Sequence, residues 1–294
     1  MRNPVSVALL AAFVIPSLAA AQNDREQIIA TVRQTFDAMH ARDTTSFRAV
    51  FHPSARIVIT GSGPNGEVRV SPVSIDAFVQ NIARLAQTVE ERFYEPEVRI
   101  DGTLATVWTR YEFFANGNFS HCGFDSFQMA KLNGTWKIVQ IADTQRREAA
   151  RCGRGEGSTP ITAPAPAGAD SAAVLAAMQK FFDALGARDT VAMKPVLHPA
   201  ARTSVVGGEG LRAASMSESM PAIANQPANP SERAVKPEIR IHDNLATIWT
   251  WYDFHHGEQF SHCGYDAFQL VRGDGGWKIL HISYTVRRTG CAQP

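Results

Sequence analysis

The sequence is poor in most of the features that would declare a function. Its 29 Lys and Arg stand against 28 Asp and Glu, so it has no basic surface of the kind that phosphate recognition requires. Nucleic acid and the membrane surface are therefore not expected as partners. Beyond the first twenty residues no apolar run approaches the ~20 residues needed to cross a bilayer. There are only four cysteines, none of them in a CxxC pair, which argues against a redox dithiol or a zinc ribbon. His255-His256 are adjacent, but the histidines show no ligand spacing, and neither a metal nor a cofactor is expected. One segment matches a dinucleotide fingerprint by letter, Gly61-x-Gly63-x-x-Gly66. It contains Pro64 and leads into Glu67-Val68-Arg69-Val70 rather than a helix, so it reads as a loop.

What is present begins with a leader. Arg2 precedes an apolar stretch over 5–18, and Ala19-Ala20-Ala21 precede Gln22. A basic start, a short apolar core and a small-residue cleavage site read as a signal peptide over 1–21. The mature chain is expected in the periplasm or outside the cell, without a cysteine at the cleavage point to carry a lipid. In an exported chain Cys122, Cys152, Cys263 and Cys291 read as disulfides. Pairing Cys122 with Cys152 and Cys263 with Cys291 is favoured over the other two connectivities.

The chain then repeats itself. FSHCGFDSFQM (119–129) returns as FSHCGYDAFQL (260–270), 141 residues on, and LATVW (104–108) and WKI (136–138) return at the same offset. Upstream, FDAMHARDT (36–44) and HPSAR (52–56) return as FDALGARDT (182–190) and HPAAR (198–202), 146 residues on. The second copy is thus five residues shorter between Arg202 and Pro237, as an indel in a surface loop produces. Between the copies lies a Pro-, Gly- and Ala-rich stretch that reads as a linker. The expected organisation is a first domain over 22–152, a linker over 153–169 and a second domain over 170–294.

Within the first copy, apolar spacing predicts a helix over 24–42 with Asp24 as its cap, a short helix over 46–51 and a third over 75–87 capped by Ser74. Residues 56–60 form a β-branched strand. Further strands near 97–101, 104–115, 118–131 and 135–145 are separated by Asp101-Gly102, Asn116-Gly117 and Asn133-Gly134, which signal tight hairpins. The second copy repeats the scheme, with its third helix (215–225) interrupted by Pro221. Helices followed by hairpins imply an α+β domain, a curved antiparallel sheet packed with three helices.

This order, with HP-x-A-R after the second helix and G-x-W-K-I near the end, resembles the nuclear transport factor 2-like superfamily. HCG-x-D-x-F followed by WKI is similar to its small SnoaL-like domains of the lumazine-binding type. The resemblance covers both copies nearly end to end. It implies a cone of sheet and helices around a pocket. The superfamily includes ketosteroid isomerase, dehydratases, polyketide cyclases and transport factors, many of which dimerise sheet to sheet, so two copies in one chain imply an internal pseudo-dimer.

Alternation along 119–129 places His121, Gly123, Asp125, Phe127 and Met129 on one face and Cys122 on the other. Phe127 and Met129 suit the core, so His121 and Asp125, with His262 and Asp266 in copy two, are expected inside the cone. Asp125 and Asp266 are the candidate acid–base residues. They lie four residues from the histidines, roughly 13 Å along a strand, so each needs its own partner or a ligand. Trp108 and Tyr111, with Trp249 and Tyr252, complete the expected ligand-binding set, although parity leaves open which of each pair faces inward. An isomerase-type site needs a carboxylate base opposite a Tyr and a neutral acid. Tyr111 and Asp125 suit the latter, but no base presents itself: Asp76 and Glu67 have no convincing equivalents in copy two. Three readings stay open: a non-catalytic binder of a small, flat, mostly apolar molecule; an isomerase, dehydratase or cyclase using Asp125 or Asp266; and a structural module with filled cups.

Overall fold

The computed structural model describes residues 16–62, 67–148, 152–153, 168–207, 210–227, 229–273 and 275–293. The leader up to residue 15, the Gly63–Gly66 part of the discounted fingerprint and nearly all of the linker lie outside the described residues.

The first domain runs α1 (Pro16–Ala41), α2 (Thr44–Ala49), β1 (Phe51–Ser62), β2 (Val68–Ser74), α3 (Ile75–Arg84), β3 (Val89–Asp101), β4 (Leu104–Ala115), β5 (Asn118–Leu132) and β6 (Thr135–Thr144). On α1, Ile28, Val32, Phe36 and Met39 form the buried stripe that a 3.6-residue period places on one face. Asp43 caps α2 by accepting from the N–H groups of Thr45 and Ser46, and Ser74 caps α3 by accepting from Ala77. Asp24 is not a cap. The helix starts earlier, and the Asp24 carboxylate instead accepts from Trp136 Nε1 at 3.1 Å and Lys131 Nζ at 2.5 Å, tying α1 to the sheet. Asn116-Gly117 and Asn133-Gly134 all have positive φ, the conformation that tight hairpins with right-handed twist demand.

The sheet order is β2-β1-β6-β5-β4-β3. It is mixed where an antiparallel sheet was expected, because β1 lies parallel to β6. Four strands and a helix separate these strands in sequence, so no tight turn dictates their relative direction. The edge strand β2 escaped sequence reading because it is short and contains Pro72, a residue tolerated only at edges or bulges.

The second domain repeats this with α4 (Gly168–Gly186), α5 (Thr190–Met193), β7 (Leu197–Gly207), β8 (Gly210–Ser215), α6 (Met216–Ala224), β9 (Pro230–His242), β10 (Leu245–His256), β11 (Gln259–Gly273) and β12 (Gly276–Thr285), in the order β8-β7-β12-β11-β10-β9. The interrupted third helix forms despite Pro221, supported by a capping box between Ser215 and Glu218.

Each sheet packs its helices on one face and the other sheet on its back. Val58, Trp108, Phe124 and Ala142 of the first domain share a buried cluster with Leu245, Val271 and Leu280 of the second. The polar contacts across this interface are reciprocal, as a two-fold relation requires. Gln128 donates to Ala267 O while Gln269 donates to Ser126 O, both at 2.8 Å. Arg99 pairs with Glu238 and Arg240 with Glu97. The arginines of the two HP-x-A-R motifs also cross over: Arg56 donates to Ala200 O at 2.6 Å and Arg202 to Ser54 O at 2.7 Å. One equivalent pair of seats differs. Thr144 meets His242 Nδ1 at 2.8 Å, whereas Thr285 donates to Asp101 Oδ2 at 2.6 Å.

Cys122 is bonded to Cys152 and Cys263 to Cys291, over separations of 30 and 28 residues. Each fastens a domain's tail to the back of β5 or β11, and closing loops of this size contributes about 3–4 kcal/mol in the chain-entropy account.

Candidate functional site: two acid-floored cups

The concave face of each sheet and its helices enclose a cavity. The cup of the first domain has a volume of about 240 Å3 and is lined by Tyr111, His121 and Asp125 together with Glu91 and Asp143. Its walls are apolar, built from Phe36, Phe47 and Phe78 on the helices and Ile57, Phe113 and Ile141 on the sheet. The cup of the second domain is larger, about 530 Å3, and is lined by Tyr252, His262 and Asp266 together with Glu232, Tyr284 and His256. Arg212, Glu218 and Ser219 make its surroundings more polar.

The HCG-x-D segment explains itself in this frame. His121 and Asp125 face the cup, Cys122 faces backwards into its disulfide, and Gly123 admits the end of β6. A Cβ at Gly123 would lie 1.8 Å from Thr144 O, and one at Gly264 would lie 2.1 Å from Thr285 O. Tyr111 and Tyr252 use this close approach. Their hydroxyls donate to Thr144 O at 2.8 Å and Thr285 O at 2.6 Å. The phenolic proton nominated for an oxyanion hole is thus already donated to the backbone.

Trp108 and Trp249 are not brought into the cups. They alternate with the tyrosines along β4 and β10, so they face the other sheet, where Trp108 stacks on Phe124 at 5.2 Å and Trp249 on Tyr265 at 4.9 Å. The inward partners of the tyrosines are Phe113 and Phe254. His121 stacks on Phe113 and His262 on Phe254, each at 4.8 Å. Burial first, and then the nearby charges of Arg147 and Arg288, push the two imidazoles down to about 4. Both rings are neutral at pH 7.

The floor of each cup holds a carboxyl pair that the sequence reading missed. Glu91 lies beside Asp125 within hydrogen-bonding reach, and Glu232 lies beside Asp266 in the same way. Burial pushes all four upward, and the neighbouring acid pushes Asp125 and Asp266 further, so each pair retains a shared proton at neutral pH. Asp125 and Asp266 are 3% and 2% exposed, and the Oδ2 atom of each has no hydrogen-bond partner. Asp143 is different. It accepts from Thr60 N–H and Gln145 Nε2, each at 3.2 Å, with Tyr111 Oη lying 3.3 Å away, yet burial still pushes it up to about 7. Copy two has Tyr284 at the equivalent position.

Glu91 was legible after all. ERFYEPEVRI (91–100) and ERAVKPEIRI (232–241) share E-R-x-x-x-P-E-x-R-I at the offset of 141. Alternation hid it because β3 carries a bulge after Tyr94, with Glu95 at φ +50°, which breaks the period-2 pattern. Asp76, one of the bases considered, lies on the exterior, where it pairs with Arg48. Glu67 pairs with Arg69 outside the cup. Among the described residues no group of three or more His, Cys, Asp or Glu is arranged to hold a metal ion, and no helix is long and apolar enough to cross a membrane.

Comparison with a known family agrees with the two-domain organisation. The profile of the family described as "putative lumazine-binding" matches twice, over residues 23–142 and 169–285. Solved structures similar to it include a nuclear transport factor 2-like protein with a cystatin-like fold from Novosphingobium aromaticivorans, 14% identical with a TM-score of 0.38, the match covering 48% of this chain and 96% of that one. A nuclear transport factor 2-like superfamily protein from Salmonella enterica is 16% identical with a TM-score of 0.36, covering 47% and 99%. A protein of unknown function from Silicibacter pomeroyi is 19% identical with a TM-score of 0.34, covering 43% and 98%. No curated protein matches.

Proposed function

The chain belongs to the putative lumazine-binding family twice over, and from that premise we propose that it is an exported tandem binding protein that holds a small, flat, mostly apolar molecule in its cups. The observation that carries this reading is the open first cup, with aromatic and aliphatic walls around a small polar floor, the usual composition of a ligand pocket. At about 240 Å3 it lies just below the drug-sized range of about 300–1,000 Å3, which favours a ligand of one or two fused rings. Two disulfides support export, since such bonds persist in oxidising compartments. In this reading residues 1–21 are the leader.

The family description suggests lumazine as the first probe. Thermal unfolding of the full chain is followed with lumazine and with a panel of pteridines, purines and flavins. At least one should raise the midpoint, and the rise should vanish when Phe113→Trp narrows the first cup. A midpoint unmoved by every member at millimolar concentration sinks the reading.

Acid–base catalysis is a second reading, favoured by one observation. Glu91 and Glu232 supply, in equivalent places, the second carboxyl that Asp125 and Asp266 lacked. Against it, the tyrosine hydroxyls are engaged by the backbone, leaving no free donor there for a developing oxyanion. Binding is the better supported of the two.

A further inference from the structure

Resting on the ligand-binding reading, we propose that the first cup selects a flat nitrogen base: a heteroaromatic ring whose edge offers an amidine-type pair of N–H donors to Glu91 and Asp125. The argument begins with charge. Glu91, Asp125, Asp143, Tyr111 and His121 are the titratable side chains lining this cup, and neither Lys nor Arg lines it. Three carboxyls are therefore gathered in an apolar cavity with a neutral imidazole and no cation.

The three are not equally provided for. Asp143 has donors from a backbone N–H and an amide, with a phenol beside it. Glu91 and Asp125 have each other, and even with protons to share the two carboxyls offer more lone pairs than donors. Asp125 lines the cavity, and its buried Oδ2 accepts from no donor in the fold. Buried acceptors are ordinarily satisfied, and the same atom is left over in the second domain, at Asp266 beside Glu232. The pairs persist although their surroundings have diverged, with Tyr284 in place of Asp143 and His256 in place of Ala115. The missing component is a set of donors, brought by something that enters the cup.

Geometry and chemistry narrow that component. Planar, bidentate N–H pairs are the strongest match for carboxylate oxygens, more so when the donor carries charge. The flat walls of Phe36, Phe47, Phe78 and Phe113 suit an aromatic body rather than an alkylamine. A ring that presents carbonyl oxygens at the same edge sets lone pairs against lone pairs and is rejected, because discrimination is sharpest where a wrong ligand leaves polar groups opposed.

Two pteridines with the same bicycle and opposite edges test this. The full chain is titrated calorimetrically with 2,4-diaminopteridine and with lumazine, the 2,4-dione. The diamine should bind at least about tenfold more tightly. Asp125→Asn, and independently Glu91→Gln, should abolish that preference, with Asp266→Asn distinguishing any site in the second cup and circular dichroism verifying that each variant is folded. If the dione binds equally or more tightly, or if both first-cup variants keep the preference, the nitrogen-base inference is overturned while ligand binding stands. If neither pteridine binds, this inference also falls, and the wider heterocycle panel decides the ligand-binding reading separately.

Discussion

Asp143 shows how a single side chain ties the cup to stability. Burial pushes its carboxyl up to about 7, against partial relief from its neighbours Gln145, Thr60 and Tyr111, whereas a carboxyl in an unfolded chain titrates near ~4. Between those values the folded state binds more protons than the unfolded one, so unfolding free energy falls as pH rises. This contribution is complete below the unfolded value and is lost as pH passes through about 7. The Glu91–Asp125 and Glu232–Asp266 pairs act in the same direction. His121 and His262 oppose them. Held down to about 4 by burial, they add stability as pH rises towards the ordinary histidine value of ~6.5. Above that value the histidine contribution fades as the unfolded imidazoles lose their last protons, and the acids dominate. The urea midpoint is therefore expected to be lower at pH 8 than at pH 6.5, and Asp143→Asn should shrink the difference. A midpoint that rises over this interval would show that the carboxyls ionise freely in the folded chain.

At the scale of elements, β5 and β11 are where sequence and structure agree most closely. The HCG-x-D-x-F alternation alone sorts His121 and Asp125 from Cys122, because side chains on a strand change face at every residue, and the structure lines the first cup with His121 and Asp125. The same rule fails on β3, where the bulge around Glu95-Pro96 shifts the register and hid Glu91. Comparison of the two copies recovers it, since both carry the same bulge: Glu95 and Lys236 each have positive φ. Asp143 could not be recovered in this way, because its counterpart is Tyr284. On β4 the apolar character of both faces concealed that Trp108 packs against the second sheet. That burial depended on how two domains meet, which no single strand encodes. Gly123 offers the test at this scale. Its Cβ position is occupied by Thr144 O and crowded by the Tyr111 ring, so Gly123→Ala must push β6 away from β5. A loss of about 3 kcal/mol in denaturant unfolding is expected, at the upper end of overpacking costs. A loss below about 0.5 kcal/mol, the scale of an ordinary surface change, would mean that the strands separate without penalty.

For the whole molecule, the buried Arg56 decides whether two domains behave as one. Its guanidinium reaches Gln140 in its own domain at 2.6 Å and both Ala200 O and Leu280 O in the other. Removing a buried charged donor leaves those acceptors without partners, a cost of about 1–3 kcal/mol for each group. Arg56→Met is expected to split a single cooperative unfolding transition into two, as seen in calorimetry. One unchanged transition would mean that the interface is held by its apolar clusters alone.

The seats occupied by His242 and Asp101 carry a consequence beyond stability. When two identical short chains associate about an axis, every substitution is made twice, and a histidine at one threonine means a histidine at the other. Here Thr144 meets His242 while Thr285 meets Asp101, and the interior acid Asp143 faces an opposite number that is a phenol. Fusion has released such twins from obligatory likeness, so one lobe can specialise while its sibling is left to hold the frame or to pursue a different guest.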